Sequence, residues 1–374
     1  MTHFCLVASN RRFIFISIYN IDNVFTYDNL IKSAKDCRKG RTWKNNTCLF
    51  TSDIYLNCDI LKDELRDGTY KHSGYNGFEI FEPKHRLIKS IKYRDKVVQK
   101  VFCDNALTPI VEDILIYDNF ACRKGKGTHA AIDRTKKFLR RAYFENGTSF
   151  YVLKCDVEKY FDSINHDTLI NKINRFPLDD ELKRLLIDTI KSVGGGIGLP
   201  LGNQTSQILS IFYLDSLDKF IKRKLGIKFY LRYMDDFILF SNDKAYLQYC
   251  KRRINEHLAT LGLSLNDKSN IFPIKNGFDF LGFHFYLKKT GKIIMKVRRV
   301  SKERMRRKLK KFEELVVSGE MEAEDVKRSY NSWRGHVLHG DTYYLVKKFD
   351  KQVNLILERG NDIGEITKQS ADWH

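Results

Sequence analysis

Proline, repeats and compositionally biased segments are scarce in this sequence. Its 374 residues include five prolines, and no tract has the composition of a disordered linker. Because 43% of the residues are hydrophobic and 13% are aromatic, the chain can bury a large core. Its length exceeds that of an ordinary single domain, so we expect two or three subdomains that are folded nearly throughout.

Paired cysteines and long apolar runs are also missing. The eight cysteines include no C-x-x-C pair and show no spacing typical of a zinc site or a disulfide framework. The longest apolar stretch near the start, Phe13 to Ile18, is too short to span a bilayer and is followed by no small-residue cleavage site. We therefore expect a protein of the reducing cytoplasm, without a membrane span or a secretion signal.

Acidic residues are the minority among the charged ones. The 66 Lys and Arg residues outnumber the 46 Asp and Glu residues, which gives a net charge of +20. Residues 288–311 alone hold 13 basic residues and one acidic residue. Such a stripe suits a nucleic-acid backbone, whose counterions it would release, although a solvated helix face has the same pattern. The stripe residues that we expect to contact nucleic acid are Arg298, Arg299, Arg304, Arg306, Arg307 and Lys308.

Hydrophobic periodicity divides the chain into helical and strand-rich parts. Residues 1–76 are mainly helical, with helical patterns after Tyr27 and after Leu56; residues 1–23 are either an edge strand or an extension. A basic loop then leads into an amphipathic helix, and the tail after about Val297 is again helical. The apolar faces of these last two helices consist of Ala131, Thr135, Phe138 and Leu139 in the first and of Met305, Leu309, Phe312 and Val316 in the second.

The middle of the chain alternates between strands and helices. A short strand ends at Asp156, and a helix follows it. Residues 207–225 form a strong amphipathic helix, and residues 229–240 read as two β arms that meet at paired acids. Another helix and two short strands, Leu263 to Leu265 and Phe278 to Phe285, come next. This order predicts a split βαβ sheet with helices on one face.

The paired acids, Asp235 and Asp236, are the main candidate site. Adjacent carboxylates repel each other and gain nothing from apolar neighbours, so a cation should compensate them. Asp156 ends a strand that could lie beside this hairpin, and three carboxylates could then hold two Mg²⁺ ions roughly 3.5 to 4 Å apart, as in phosphoryl transfer. An exposed acidic turn is the alternative interpretation.

Several motifs, in order, resemble those of reverse transcriptases. YMDD between hydrophobic strands resembles motif C, and LKCDVEKYFDSINHDTL resembles motif A. The likeness continues through GIGLPLGNQTSQILSIFYL (motif B), GLSLNDKSNIF (motif D) and FDFLGFHF (motif E). Upstream, FEPKHRLIKSIKYRDKVVQ and NFACRKGKGTHAAIDR resemble the fingers motifs of bacterial, group II intron-like enzymes. The resemblance covers roughly residues 77–290, with a weaker thumb-like match to the end.

The resemblance implies an RNA-directed DNA polymerase with a right-hand fold of mixed α/β (α+β) class. Fingers are expected at residues 77–149 and a split-βαβ palm at 150–292, with a finger insertion at about 166–200. A basic helical thumb is expected at residues 293–374. The implied partners are an RNA template, a DNA or RNA primer and deoxynucleoside triphosphates. No RNase H, integrase or endonuclease motif follows the thumb, so we expect an additional dedicated noncoding RNA and an accessory protein.

The same resemblance assigns roles to individual residues. Asp156 and Asp235 become the principal metal ligands, with Asp236 in support and the Val157 carbonyl completing a site for two Mg²⁺ ions, which Mn²⁺ could replace. Phe161 matches the aromatic gate that excludes the 2′-hydroxyl of ribonucleotides, although it could be a core aromatic residue. The other residues implied to contact the nucleotide are Lys84, Arg86, Pro200, Leu201, Gly202 and Lys268, and those implied to contact template phosphates are Lys124 and Lys126.

Motif B departs from the usual Pro-Gln-Gly. Here Pro200-Leu201-Gly202 replaces the amide by leucine, which removes hydrogen bonds near the nascent pair and could loosen discrimination. This form resembles enzymes of diversity-generating retroelements, which copy RNA with errors at adenines, while antiphage defence reverse transcriptases share much of the core. An RNA-dependent RNA polymerase would be expected to show Gly-Asp-Asp, and a non-catalytic RNA-binding palm would be expected to lack a carboxylate.

Overall fold

The computed structural model describes residues 19–81, 85–192 and 194–371. Lys84 and the apolar stretch from Phe13 to Ile18 lie outside the described residues. Helices and strands alternate along the chain as a mixed α/β fold. The helices are α1 Ile21–Val24, α2 Tyr27–Arg38, α3 Asn45–Ser52, α4 Ile54–Arg66, α5 Tyr93–Phe102, α6 Thr108–Ile114, α7 Thr128–Asn146, α8 Tyr160–Ser163, α9 His166–Ile173, α10 Asp180–Lys191, α11 Gln204–Tyr213, α12 Asp215–Lys219, α13 Lys244–Ala259, α14 Arg299–Val317, α15 Ala323–Val337 and α16 Tyr343–Ala371. The strands are β1 Tyr75–Ile80, β2 Arg86–Ile91, β3 Tyr151–Asp156, β4 Phe229–Tyr233, β5 Asp236–Ser241, β6 Asn270–Pro273, β7 Phe278–Phe280, β8 Phe283–Leu287 and β9 Ile293–Val297.

The described part of the N-terminal region is helical, as its periodicity predicts. Side-chain caps fix where the helices begin: Thr26 accepts a hydrogen bond from the Asn29 amide at the start of α2, and Asp53 does so from Leu56 at the start of α4. Leu30 and Ala34 of α2 are buried where that helix packs against α4 and α5. Helix α1, Ile21–Val24, follows the β-prone run for which an edge strand was considered, and that run lies outside the described residues.

A four-stranded antiparallel sheet forms the centre of the molecule. Its strand order is β4-β5-β3-β6, and helices connect β3 to β4 and β5 to β6. This topology confirms the predicted split βαβ arrangement. Alternate residues of β3 enter two different cores, because Leu153 and Cys155 face the helices while Val152 faces the other side.

The second face of this sheet is covered as well. Helix α7 and a three-stranded sheet of order β7-β8-β9 pack there around Phe150, Phe240 and Phe285. The prediction placed helices on one face of the sheet and said nothing of the other face. The four predicted apolar positions of α7 are all buried in the structure, so that helix was predicted with the correct face.

Three of the predicted elements are wrong in detail. The single strand expected from Phe278 to Phe285 is a hairpin of β7 and β8, turned by Leu281 and Gly282 with φ of 47° and 86°. Residues 263–265 form no strand within the described chain and contribute only an isolated bridge from Leu265 to Val157. The helix predicted at 207–225 breaks at Leu214, between α11 and α12.

The C-terminal part is a helical subdomain. Helices α14, α15 and α16 enclose a core in which the predicted stripe of Met305, Leu309, Phe312 and Val316 is buried against Val326, Tyr330 and Phe349. The stripe prediction is therefore confirmed. In the described residues, no helix has the length and apolar character needed to cross a membrane.

Candidate active site

The acidic pair lies at the tip of the hairpin formed by β4 and β5. Tyr233 pairs with Asp236 across the ladder, so Met234 and Asp235 form the turn. Met234 has a φ of 60°, a left-handed conformation that glycine adopts easily and a long side chain does not. Two contacts hold this turn: the Arg232 Nη1 donates to the Met234 carbonyl at 2.8 Å, and the Ser210 hydroxyl donates to the Met234 sulfur at 3.1 Å.

Arg232 is part of a buried ionic cluster beneath the turn. Its side chain and that of Asp218 are both 0% exposed. The guanidinium donates from Nε and Nη2 to the two Asp218 oxygens at 2.7 and 2.6 Å, and from Nη2 to the Ile211 carbonyl at 2.9 Å. The Tyr230 hydroxyl also donates to Asp218, at 2.5 Å. Every charge in this cluster is paired, which a buried ion pair requires.

The register of the sheet brings the third acid to the same place. Asp156, the last residue of β3, pairs directly with Asp236 of β5. Burial, and then the negative charge of Asp156, raise the pKa of Asp235, while the charges of Arg232 and Arg86 oppose this shift. Asp235 and Asp236 are half-buried, so the alternative of an exposed acidic turn is wrong.

Asp236 forms an ion pair with a lysine. Its Oδ1 lies 3.2 Å from the Lys154 Nζ. Burial raises the pKa of Asp236 to about 7, an effect that Lys154 opposes and that Asp156 and Asp235 reinforce. The Asp236 carboxylate therefore faces a cation of the protein itself, which leaves Asp156 and Asp235 as the pair with excess negative charge.

The donor atoms at this site suit a hard divalent cation. Carboxylate and carbonyl oxygens are the ligands that Mg²⁺ and Mn²⁺ prefer. Val157 and Leu265 form the non-hydrogen-bonded kind of bridge, because the bonds run from Asn266 to Asp156 and from Glu158 to Ser264. The Val157 carbonyl consequently points away from Leu265, toward the side of β5. Within the described residues, however, no three His, Cys, Asp or Glu side chains are grouped closely enough to hold a metal ion as they stand.

Residues from the predicted fingers and from motif D lie around the carboxylates. Arg86 begins β2, and its charge acts on Asp235. Lys268 is exposed on a loop whose neighbouring residues fix the end of β3. There the Ser269 hydroxyl accepts from the Asp156 amide at 3.1 Å, and the Asn266 amide donates to the Asp156 carbonyl at 2.8 Å. The motif D loop therefore positions the first acid.

The motif B loop packs against the hairpin of β1 and β2. The Lys89 amide donates to the Leu201 carbonyl at 3.1 Å, and a Cβ at Gly202 would lie 3.2 Å from Ile88 and 3.3 Å from the Lys89 carbonyl. Pro200 is buried and the Leu201 side chain is half-buried. This contact joins the loop to β2, the strand that carries Arg86.

The basic residues differ in whether their side chains already bind another group of the protein. Lys126 binds the Tyr117 carbonyl and lies 4.1 Å from the Tyr117 ring centre, and burial lowers its pKa to about 8. Arg298 and Arg299 pair with Asp279 and Glu303 at 2.9 and 2.6 Å. The stripe residues with exposed side chains and no ion pair in the described chain are Arg306, Arg307 and Lys308.

Sequence reasoning missed the residues that support this site. Arg232, Asp218 and Lys154 were not singled out, although Arg232 and Lys154 interrupt apolar strands. A charged residue inside a buried strand needs a partner, so the pattern of FYLRY carried a signal for a buried ion pair. The identity of the partner, Asp218, depends on tertiary packing.

Comparison with known proteins identifies similar chains. A family model described as reverse transcriptase (RNA-dependent DNA polymerase) matches residues 71–285. The chain is 26% identical to Protein YkfC of Escherichia coli (strain K12), over 66% of this chain and 75% of that protein. It is 25% identical to Group II intron-encoded protein LtrA of Lactococcus lactis subsp. cremoris, over 44% of this chain and 28% of that protein. Apo telomerase from Candida Tropicalis, truncated from the C-terminal domain, aligns with a TM-score of 0.45 at 16% identity, covering 59% of this chain and 54% of that chain.

The buried cluster yields a stability prediction. Arg232→Met should lower the free energy of unfolding by about 3 to 5 kcal/mol, because it leaves the buried Asp218 without its cation. Adding Asp218→Leu should recover much of that loss. Arg253→Met, which removes an exposed ion pair with Glu256, should change stability by less than about 1 kcal/mol. Urea unfolding measures all three, and equal effects for Arg232→Met and Arg253→Met would contradict the assigned role of the cluster.

The carboxylates yield a prediction for pH. Because the pKa of Asp236 is raised to about 7, the folded protein keeps a proton between about pH 4 and pH 7 that the unfolded chain has released. Stability of the protein in EDTA should therefore fall as pH rises through this window. Asp236→Asn should reduce this fall, so that the stability of the variant relative to the wild type increases toward pH 7.5. The exposed Asp188→Asn should match the wild type in stability at every pH. If the stability of Asp236→Asn changed with pH in the same way as that of the wild type does, the raised pKa of Asp236 would be refuted.

Proposed function

Because the chain belongs to the reverse transcriptase (RNA-dependent DNA polymerase) family, we propose that it copies an RNA template into DNA at Asp156, Asp235 and Asp236. The observation that carries this proposal is the sheet register, which sets Asp156 opposite Asp236 and next to the turn residue Asp235. Burial and the negative charge of Asp156 raise the pKa of Asp235, and this cost is one that a polymerase site recovers when it binds cations.

The reaction is a nucleotidyl transfer. The 3′-hydroxyl of the primer loses its proton to water and its oxygen forms a bond to the α-phosphorus of a deoxynucleoside triphosphate. The bond from that phosphorus to the β-phosphate oxygen breaks, and pyrophosphate leaves. Asp156, Asp235 and the Val157 carbonyl would hold two divalent ions, with Asp236 in support. A bound pair of Mg²⁺ ions stabilises charge on the attacking and leaving oxygens, and Mn²⁺ could substitute. Arg86 binds triphosphate oxygens through its guanidinium fork, and Lys268 donates a proton to the departing pyrophosphate. The resemblance assigns Lys84, which lies outside the described residues, to the triphosphate as well.

The carboxylates can be tested without disturbing nucleic-acid binding. Asp156→Asn or Asp235→Asn should lower Mg²⁺-dependent incorporation of deoxynucleotides by at least about two orders of magnitude. Affinity for RNA should stay near that of the wild type, because basic residues supply it. Primer extension and filter binding measure the two properties, with the exposed Asp188→Asn as the matched control. Extension by either active-site variant at the wild-type rate would refute the proposed function.

Phe161 is proposed as the gate against ribonucleotides. It is half-buried, packs edge-on against Tyr160 with ring centres 5.7 Å apart, and accepts a hydrogen bond from the Leu199 amide through its carbonyl at 2.8 Å. Tyr160 is itself anchored, since its hydroxyl donates to the Ser210 carbonyl. The Phe161 ring is therefore backed by fixed neighbours near Asp156, as a steric gate requires.

Removing this ring should change the choice of sugar. Phe161→Ala should raise the use of ribonucleotides relative to deoxynucleotides, because it opens space for the 2′-hydroxyl. Single-nucleotide extension with each nucleotide type measures the ratio. Phe144→Ala removes a ring that is 92% exposed on α7 and should leave the ratio unchanged. An unchanged ratio in Phe161→Ala as well would make Phe161 a core residue.

Template and product contacts are proposed for the basic surface. Arg306, Arg307 and Lys308 are exposed on α14 and suit duplex phosphates, with Arg304 half-buried beside them; Arg298 and Arg299 would first exchange their acidic partners. Lys124 and Lys126 are proposed for template phosphates, although Lys126 must leave its carbonyl partner to act. In this proposal residues 1–76 form an N-terminal helical region, and fingers, palm and thumb comprise residues 77–149, 150–292 and 293–374.

Motif B bears on the biological role that we propose. Leu201 replaces an amide on the loop that packs against β2, and its side chain is half-buried there. The resulting loss of a hydrogen bond near the nascent pair favours an error-prone enzyme of the diversity-generating type, working with a dedicated noncoding RNA and an accessory protein. A defence enzyme that copies one noncoding RNA is the second candidate, because the polymerase core suits it equally.

Fidelity separates these two roles. Leu201→Gln should lower the misincorporation rate by roughly two- to tenfold, since one net hydrogen bond is worth about 0.5 to 1.5 kcal/mol. Sequencing of products made on a defined RNA measures this rate, with the exposed Leu49→Gln as a control that should change nothing. Wild-type errors opposite template adenines favour the diversity-generating role. Accurate copying by both the wild type and Leu201→Gln would refute the motif B argument.

A further inference from the structure

A large cavity lies behind the motif B loop, and the three catalytic carboxylates are not among its lining residues. Its volume is about 710 Å³, and its walls come from α2, the end of β2, the helix that runs through α5 and α6, the loop after Phe120, and the start of α11. Between α5 and α6 this helix contains a π-helical segment, Cys103–Leu107, and such segments are frequent at functional sites. Of the residues given a role above, Lys124 and Gly202 line this space.

The cavity carries an excess of positive charge. Four of its lining residues are basic and one, Asp104, is acidic. Asp104 is already engaged, because it accepts from the Lys100 Nζ at 2.7 Å and from the Gln204 Nε2 at 3.0 Å. In the described chain the other basic residues of the lining, Arg41, Lys96 and Lys124, form no ion pair. These three side chains are therefore available to bind a phosphate group.

A buried amide in the same cavity lacks hydrogen-bond partners. Gln99 of α5 is 5% exposed, yet within the described structure neither its Nε2 nor its Oε1 forms a hydrogen bond. Leaving a buried donor and acceptor unpaired costs stability, so such a group calls for a ligand. A carboxamide offers a donor and an acceptor side by side, the pattern with which Gln binds the edge of a nucleobase.

Helix α11 connects this cavity to the catalytic hairpin. Gln204, Gln207 and Ile208 line the cavity, and Ser210 further along donates to the Met234 sulfur at the turn. From Gln204 to Ser210 the helix rises roughly 9 Å, at about 1.5 Å per residue. The cavity is therefore close to the place where the template meets the incoming nucleotide, and it adjoins the motif B residues Gly202 and Asn203.

We propose that this cavity binds one unpaired nucleotide of a single strand that leads into the active site, with the base edge on the Gln99 amide and a phosphate on Lys96 and Lys124. The strand is the template ahead of the point of synthesis, and in this respect the inference rests on the proposed function. A free nucleotide carries the same base and phosphate, so the test must separate the two sources.

The first experiment measures binding in the absence of deoxynucleotides. A fluorescent primer is annealed to RNA templates whose unpaired 5′ overhang is one or five nucleotides long, and affinity is measured by anisotropy. The wild type should bind the longer overhang more tightly. Gln99→Leu should lose roughly two- to tenfold in affinity for the longer overhang and nothing for the shorter one. Gln248→Leu, an exposed position on α13, should behave as the wild type does.

Two further readouts keep the result interpretable. Because leucine removes an unpaired buried amide, Gln99→Leu should melt at or above the wild-type temperature, which shows that it folds. An abasic site scanned through the overhang should weaken wild-type binding at one position and have no added effect there in Gln99→Leu, as coupled groups require. Free adenosine or uridine monophosphate should not compete at micromolar concentration, and competition there would assign the cavity to a free nucleotide instead.

The outcomes also separate this inference from the polymerase assignment. Equal losses on the short and long overhangs, or additive effects of Gln99→Leu and the abasic site, would overturn the proposed cavity function while primer extension persists. Absence of extension by the wild type would overturn the proposed polymerase, whereas the overhang-dependent binding would still report on the cavity.

Discussion

The buried pair of Arg232 and Asp218 is the interaction on which the rest of the site depends. The hairpin that carries the acids turns at Met234, a residue whose positive φ is unfavourable for its side chain. Arg232 offsets this by donating to the Met234 carbonyl while it also binds Asp218 and the Ile211 carbonyl. One guanidinium thus fastens β4 to α11, α12 and the turn. A lysine could not make these contacts together, because it lacks the planar fork of donors.

The acids themselves weaken the fold that holds them. Asp235 and Asp236 are half-buried beside Asp156, and burial with like charge raises the pKa of both. A sequence selected only for stability would place turn-forming or apolar residues here. The surrounding structure compensates in two ways: Lys154 neutralises Asp236, and Ser269 and Asn266 fix the backbone of Asp156. The supporting contacts are thus concentrated around the least favourable residues, as is typical of functional sites.

Much of the fold could be predicted because its signals are local. Apolar periodicity correctly located α2, α4, α7 and the stripe of α14, since one buried face fixes a repeat of three to four residues. The arms of the acidic hairpin were also located correctly. The hairpin of β7 and β8 was missed because Leu281 occupies a left-handed position that sequence does not associate with leucine. Strand β6 is short, and the pairing that stabilises it comes from the distant strand β3. Strand β9 pairs with its neighbour β8, and it was missed because it lies within the basic stripe.

The candidate site divides into a part that sequence reveals and a part that it does not. Asp235 and Asp236 were singled out because adjacent acids between apolar strands repel each other. Asp156 was added because it ends a neighbouring strand, and the resemblance of the motifs to those of reverse transcriptases favoured the catalytic interpretation of all three acids. Gln99 shows the opposite case. In the sequence it is an ordinary polar residue of an amphipathic helix, and only packing reveals that its amide is 5% exposed and unpaired in a basic cavity. Residues that bind charged groups are themselves charged, so the sequence reveals them. A residue that recognises a neutral base edge acts through shape and hydrogen bonds, which the sequence alone does not reveal. Template recognition would therefore depend on residues such as Gln99, which no sequence motif identifies. The chemical step depends on the carboxylates, which a motif does identify.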